Sequence, residues 1–248
     1  MRSTVNSLAK RGWYIDLETP FKFLNKLNAE FKRENNQNVD LLMASYVEFN
    51  LDNIKKNCQR NHPDRWPLLR EAFEAHDQNK FALSIPVFLA QADGICKDLL
   101  GVKFYARRKG IPATACKTAD LEMDSVSDAI LEPLREAGAL NAYENEVDSS
   151  SNVLNRHAVL HGTSVDYATK FNGLRSISLV NYLSAAVSGV QQIKQITPEQ
   201  IEAFKRETTA IVEEMLKPQK KRRLSATFML CCDLLCDLFS KKNKRHSK

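Results

Sequence analysis

An all-α helical bundle is predicted from three features of the chain. Apolar residues recur every three or four positions along most of it, its 248 residues include only 8 Gly and 8 Pro, and Leu, Ala, Glu, Lys and Asn are plentiful. So few turn formers cannot serve the many reversals of a β-sandwich. With 43% hydrophobic and 27% charged residues and a mean hydropathy of −0.39, the chain can bury a core without disulfide staples and lies outside the disordered range. No internal repeat is present, which argues against a solenoid.

Phe21, Leu24, Leu27 and Phe31 follow Pro20, a residue suited to a helix start, and predict the first helix. Val39, Met43, Val47, Leu51, Ile54 and Cys58 lie on one stripe and predict a single long amphipathic helix. His62-Pro63-Asp64 interrupts it. Asp64 is the expected cap of a shorter helix with Pro67 in its first turn and Trp66, Leu69, Phe73 and His76 on one face. The most apolar segment begins at Phe81. Ile85, Phe88, Ala92, Ile95 and Leu99 form its stripe, and Leu89, Cys96 and Leu100 widen it, so burial on most sides is expected before Gly101 stops the helix.

Val102 to Thr118 reads as a basic connector. A helix from about Asp120 should be kinked or shortened by Pro133 and end near Gly138, and 144–152, rich in Asn, Asp and Ser, reads as a mobile loop. The stretch VLNRHAVLHGTSVDY predicts a short helix closed by Gly162. Ser164 or Asp166 then caps a long apolar helix through Phe171, Leu174, Ile177, Leu183, Val187 and Val190. Thr197-Pro198-Glu199-Gln200 is a capping box opening a last helix through Ile201, Phe204, Thr208, Ile211 and Met215. The expected organisation is an N-terminal helical region over 1–62, a helical bundle over 63–216 and a basic and apolar tail over 217–248.

The net charge of +6 is concentrated at one end. Ten of the 36 Lys/Arg and two of the 30 Asp/Glu fall in 217–248, leaving the first 216 residues with 26 basic and 28 acidic side chains. A broad cationic face is therefore not expected on the body. In the tail, an apolar run carrying Cys231, Cys232 and Cys236 is bracketed by cations. It reads as a final packing helix with solvated lysines; the alternative is peripheral attachment to an anionic membrane surface, with the cysteines as acylation sites. The six cysteines contain no Cys-x-x-Cys pair, the first twenty residues hold no apolar run like a secretory signal, and no segment has the length to span a bilayer, so a cytoplasmic protein with reduced thiols is expected. Cys58 and Cys96 read as core filling.

Gly-x-Gly-x-x-Gly, the Gly-Lys-Ser/Thr phosphate loop, His-Glu-x-x-His and Gly-x-Ser-x-Gly are all absent, and no cofactor is expected. The unusual cluster is Asn155-Arg156-His157 followed by His161-Gly162. Three cationic or potentially cationic side chains and an amide crowd into a short helix whose Val153, Leu154, Ala158, Val159 and Leu160 anchor it in a core. Arg156 and His161 lie about 140° apart around a helix, whereas His157 and His161 share a face. A guanidinium that grips phosphate beside an imidazole that moves protons suits metal-free RNA cleavage by the ribose 2′-hydroxyl.

Arg156-His157-Ala158-Val159-Leu160-His161 resembles the signature of the HEPN superfamily, all-α domains that carry Arg, four to six residues, then His, with a polar residue after the arginine. The long apolar helix with an acidic residue, the loop, the motif and a second long helix are also similar to HEPN proteins of abortive-infection and toxin–antitoxin systems. The resemblance, covering about 64–193, implies an HEPN-like bundle with Arg156 and His161 as the ribonuclease pair and His157 as the polar auxiliary. It also implies RNA as substrate, a homodimer that brings two motifs into one cleft, and an antitoxin or sensor protein as partner.

Three other readings stay open. Arg156 can tie helices together through an acid while His161 caps carbonyls near Gly162. His157 and His161 can be two metal ligands awaiting a third such as Asp93 or Asp166. The polar cleft can bind a nucleotide or protein without catalysis. Asp93, in the most apolar helix, is expected either to orient Arg156 or to face solvent.

Overall fold

The first helix, α1 (Arg2–Lys10), is one that the apolar spacing hardly announces: only Thr4, Val5, Leu8 and Ala9 of its nine residues are buried. The computed structural model describes residues 1–119, 125–136, 138, 140 and 153–187, which belong to a unit spanning 1–195. Gly12, at φ 77°, turns the chain out of α1, and Trp13, Tyr14 and Ile15 then run buried through the core without helical structure.

Helices α2 (Phe21–Lys32), α3 (Asn36–Phe49) and α4 (Leu51–Asn61) follow. The single helix expected over 39–58 is two. Asn50 sits at φ −93° and ψ 5°, and its side-chain amide donates to the Tyr46 carbonyl at 2.8 Å, which supplies a local bond that competes with a straight continuation. The stripe still works as one surface, because Val39, Met43, Val47, Ile54 and Cys58 are all buried. Helix α5 (Trp66–Asp77) begins after Arg65 with no side-chain cap, so Asp64 does not cap it; the Trp66 amide is satisfied by the His62 and Pro63 carbonyls. Pro67 lies in its first turn as expected.

Helix α6 (Phe81–Leu100) buries Ile85, Phe88, Leu89, Ala92, Ile95 and Cys96 and ends at Gly101 with φ 74°. Pro86 lies inside it and cannot donate to the Ala82 carbonyl; the Tyr167 hydroxyl, 3.1 Å away, donates there instead. The basic connector contains a small hairpin, β1 (Arg107–Arg108) antiparallel to β2 (Ile111–Pro112), turning at Lys109 and Gly110, both with positive φ. Short α7 (Ala113–Thr118) and α8 (Ser125–Ile130) follow, and Pro133 shortens the helical run to a single 3-10 turn, Glu132–Leu134.

After α9 (Arg156–Leu160) comes α10 (Lys170–Tyr182), continued by a π-helical turn over Leu183–Val187. Neither Ser164 nor Asp166 caps α10. Thr169 does, accepting from the Asn172 amide at 3.2 Å, while the Ser164 hydroxyl donates to Asp166 at 3.0 Å. Helices α5 and α10 both pack on α6, and α10 also meets α3 and α4, so one hydrophobic core joins the N-terminal helices to the rest. The described part is mostly helical with one two-stranded sheet, in accord with an all-α protein. Among the described residues no helix is long and apolar enough to cross a membrane. The start of the Asp120 helix, the 144–152 loop, Val190, the 197–200 capping box with its helix and the 217–248 tail lie outside the described residues.

Two buried histidines give the fold a pH dependence. His62 is 7% exposed with Nε2 3.0 Å from the Ser184 hydroxyl, and His76 is 6% exposed against the edge of Phe81. Burial lowers both pKa values below the ordinary 6.5, reinforced at His62 by the Arg65 charge. The folded state therefore keeps both rings neutral at a pH where the unfolded chain already binds protons. Stability is complete above about pH 6.5 and falls with acidification toward the folded pKa values, by up to about 1.4 kcal/mol per pH unit for each ring. Urea midpoints measured from pH 7.5 to 5 should fall with this slope, and His62→Gln should flatten it. Glu30, Asp98 and Asp128, held low mainly by hydrogen bonds from Asn38, Arg65 and Arg135, give a separate loss at lower pH, beneath the ordinary carboxylate range.

Candidate functional site

Helix α9 is short because both of its ends are defined locally. Asn155, in extended backbone, accepts from the Ala158 amide at 2.9 Å and starts the helix. At the other end Gly162, at φ 75°, lets the Thr163 amide bond the Ala158 carbonyl at 2.9 Å and its own amide bond Val159 at 3.3 Å, a Schellman closure. Leu154 and Val159 hold α9 in the core. Leu160, expected to share that anchoring, is 37% exposed, and Val165 just beyond it is 91% exposed. The Tyr167 hydroxyl, on the Ala82 carbonyl, ties the loop after α9 to α6.

The five sequence-nominated residues divide into two groups. His157 and His161 stand together, their ring centres 4.3 Å apart, with His161 on the surface and His157 half-buried. Arg156 instead lays its guanidinium over the Tyr105 ring, 4.8 Å from the ring centre, and its Nε is enclosed without a hydrogen-bond partner among the described residues. No hydrogen bond, ion pair or ring contact joins Arg156 to His161 among the described residues.

Asp93 does not reach Arg156 directly. Its Oδ1 accepts from the Tyr105 amide at 3.2 Å, while the Arg156 guanidinium covers the ring of that same tyrosine. The Tyr105 hydroxyl donates to the Leu89 carbonyl at 3.2 Å, which pins the ring to α6, and burial pushes its phenol pKa well up. Asn155 is buried and serves as the N-cap. Among the described residues no three His, Cys, Asp or Glu side chains gather as a metal ion would require, and neither Asp93 nor Asp166 completes a set with the two histidines. Cys58 and Cys96 are fully buried, with burial pushing both thiols up to about 12, and Cys116 is exposed.

Tyr105 was not legible as a site residue. Its contact with Arg156 spans 51 positions of sequence, and the only nearby signal is that Phe104-Tyr105 interrupts a basic stretch. The hairpin that begins two residues later carries Arg107, Arg108 and Lys109, and Lys103 precedes it, so cations flank the aromatic that receives the arginine.

The chain matches no protein-family model, no curated protein and no solved structure.

Proposed function

We propose that the chain is a metal-independent endoribonuclease of HEPN type, acting as a homodimer in cellular defence. The observation that carries this reading is the pairing of His157 with a surface-exposed His161 at the C-terminal end of a five-residue helix whose first residue is an arginine with its Nε unpartnered among the described residues. In the proposed reaction His161 takes the proton of a ribose 2′-hydroxyl and the freed oxygen attacks the adjacent phosphorus. The bond from phosphorus to the 5′-oxygen breaks, and the departing oxygen takes a proton from an imidazolium, for which His157 is the group alongside. Arg156 neutralises the growing charge on the phosphorane oxygens. The products are a 2′,3′-cyclic phosphate and a 5′-hydroxyl. Lys103, Arg107, Arg108 and Lys109 supply a local positive field that the neutral body does not, and exposed Leu160 and Val165 provide apolar surface for a second protomer.

Incubation with RNA in EDTA should yield cyclic-phosphate ends. Arg156→Ala and His161→Ala should each lower the rate by about 10²- to 10⁴-fold with an unchanged thermal midpoint for His161→Ala. Tyr105→Phe keeps the ring beneath the guanidinium and should retain cleavage. Cleavage that survives in the Arg156→Ala/His161→Ala double variant removes the assignment.

The stacking of Arg156 on Tyr105 favours a second reading, a helical interaction module in which the arginine secures α9 to the body. It predicts no cleavage, and a stable protein or nucleotide partner lost on Arg156→Ala. Peripheral membrane binding through 217–248 remains a separate proposal, checked by vesicle pelleting before and after deletion of that segment.

A further inference from the structure

A cavity of about 310 Å³ opens among residues 14–20, α3, α4 and α10, and the motif on α9 takes no part in its lining. Its walls are rich in acceptors and, among the described residues, contain no Lys, Arg or His: Asp16 and Glu18 line it together with Asn50, Asn53 and Asn181. Asp16 is the telling residue. It is 7% exposed, yet the donors that reach its carboxylate are the Glu18 amide at 3.0 Å, the Thr19 hydroxyl at 3.1 Å and the Asn181 amide nitrogen at 2.6 Å, all neutral. No cation pairs with it among the described residues.

A carboxylate so far withdrawn from water is costly without a counter-charge. Asn181 adds a second unmet demand. Because its nitrogen is committed to Asp16, its Oδ1 must be an acceptor, and that atom is buried with no hydrogen-bond partner among the described residues. Phe23 and Tyr46, stacked with ring centres 4.7 Å apart, form an aromatic wall of the same cavity. Burial raises the Tyr46 phenol pKa, the hydrogen bond with Thr19 lowers it, and the charges of Asp16 and Glu18 raise it again.

We propose that this cavity binds a small organic cation, an ammonium or guanidinium group on a short aliphatic chain. Its N–H groups meet Asp16 and the Asn181 carbonyl, its charge lies against the Phe23 and Tyr46 rings, and its methylenes cover Ile15 and Ile54. The volume lies at the small end of ligand cavities, which matches a diamine or agmatine-sized molecule, and the absence of a lining cation among the described residues disfavours phosphates and carboxylates.

Calorimetric titration of the full chain with putrescine, agmatine, 1,4-butanediol and guanosine tests this. Saturable, salt-sensitive binding of putrescine or agmatine is expected, with no binding of the uncharged diol. Asp16→Asn preserves the acceptor for Glu18 and Thr19 and should weaken the amine by about tenfold or more, while Glu18→Gln, at an exposed rim where folding is not at stake, should weaken it by about threefold. Silence with both amines overturns the proposal, as does equal binding of the diol or binding of guanosine alone. Should Asp16→Asn fail to fold, an amine affinity unaltered by both Glu18→Gln and Phe23→Leu overturns it too.

Discussion

Asp40→Ala is expected to lower the unfolding free energy by about 3–5 kcal/mol, chiefly the cost of leaving the buried Arg175 without its partner. Asp40 lies on α3 and its carboxylate gathers four donors. Arg11 approaches with Nε at 3.0 Å and Nη2 at 2.6 Å, the Trp13 indole with Nε1 at 2.9 Å, and Arg175 of α10 with Nη2 at 3.3 Å. Arg175 is 4% exposed, and its guanidinium also lies 5.3 Å from the centre of the Trp13 ring. Burial lowers the Arg175 pKa while Asp40 opposes that shift, so the acid is what keeps a charge tolerable at this depth. Guanidinium chloride unfolding should show the loss as a shifted midpoint. Asp40→Asn should fall between wild type and alanine, because it retains an acceptor but no charge. In the Asp40→Ala background, Arg175→Met should recover part of the loss, since the orphaned cation is then gone; additive effects of the two changes would contradict the network.

Gly173→Ala should cost about 1–3 kcal/mol, against the usual gain from replacing a helical glycine. A Cβ built at Gly173 would stand 2.7 Å from two atoms of the His76 ring and 3.3 Å from Phe81. That ring cannot swing away freely: it is buried and packs edge-on against Phe81, with centres 5.2 Å apart. The glycine is thus the point where α10 closes on α5 and α6. His76→Ala should relieve the clash, so the double variant should be more stable than the sum of the two single effects implies. A thermal midpoint of Gly173→Ala equal to or above wild type would show that the contact has slack.

Much of the helical layout was readable from residue order. The 81–101 segment folds as one helix stopped at Gly101, Pro67 sits in the first turn of α5, and Gly162 closes a short helix at the motif. Each rests on interactions within about one helical turn, where backbone geometry leaves few options. The misassigned caps, Asp64 for α5 and Ser164 or Asp166 for α10, fail because several polar residues stand near each helix start and only the path of the chain selects among them. The break at Asn50 leaves no mark in the periodicity for a related reason: the apolar stripe continues across it, and a period of 3.6 residues is blind to one residue with ψ near zero.

The site itself divides in the same way. That His157 and His161 share a face follows from a spacing of four, and the rings do meet at 4.3 Å. That Arg156 rests on Tyr105, and that Asp93 bonds the Tyr105 amide rather than the arginine, depends on how α9 settles on α6 and the segment after it. Local order therefore decided the helical class, the extent of most helices and the crowding of polar groups on α9. Packing alone decided which polar groups meet: Asp40 with Arg175 across 135 positions, and Asp16 with Asn181 across 165. Helix-forming bonds are made within a turn and are written in the residue order, whereas partners on different helices are chosen by the side-chain volumes that set how those helices approach.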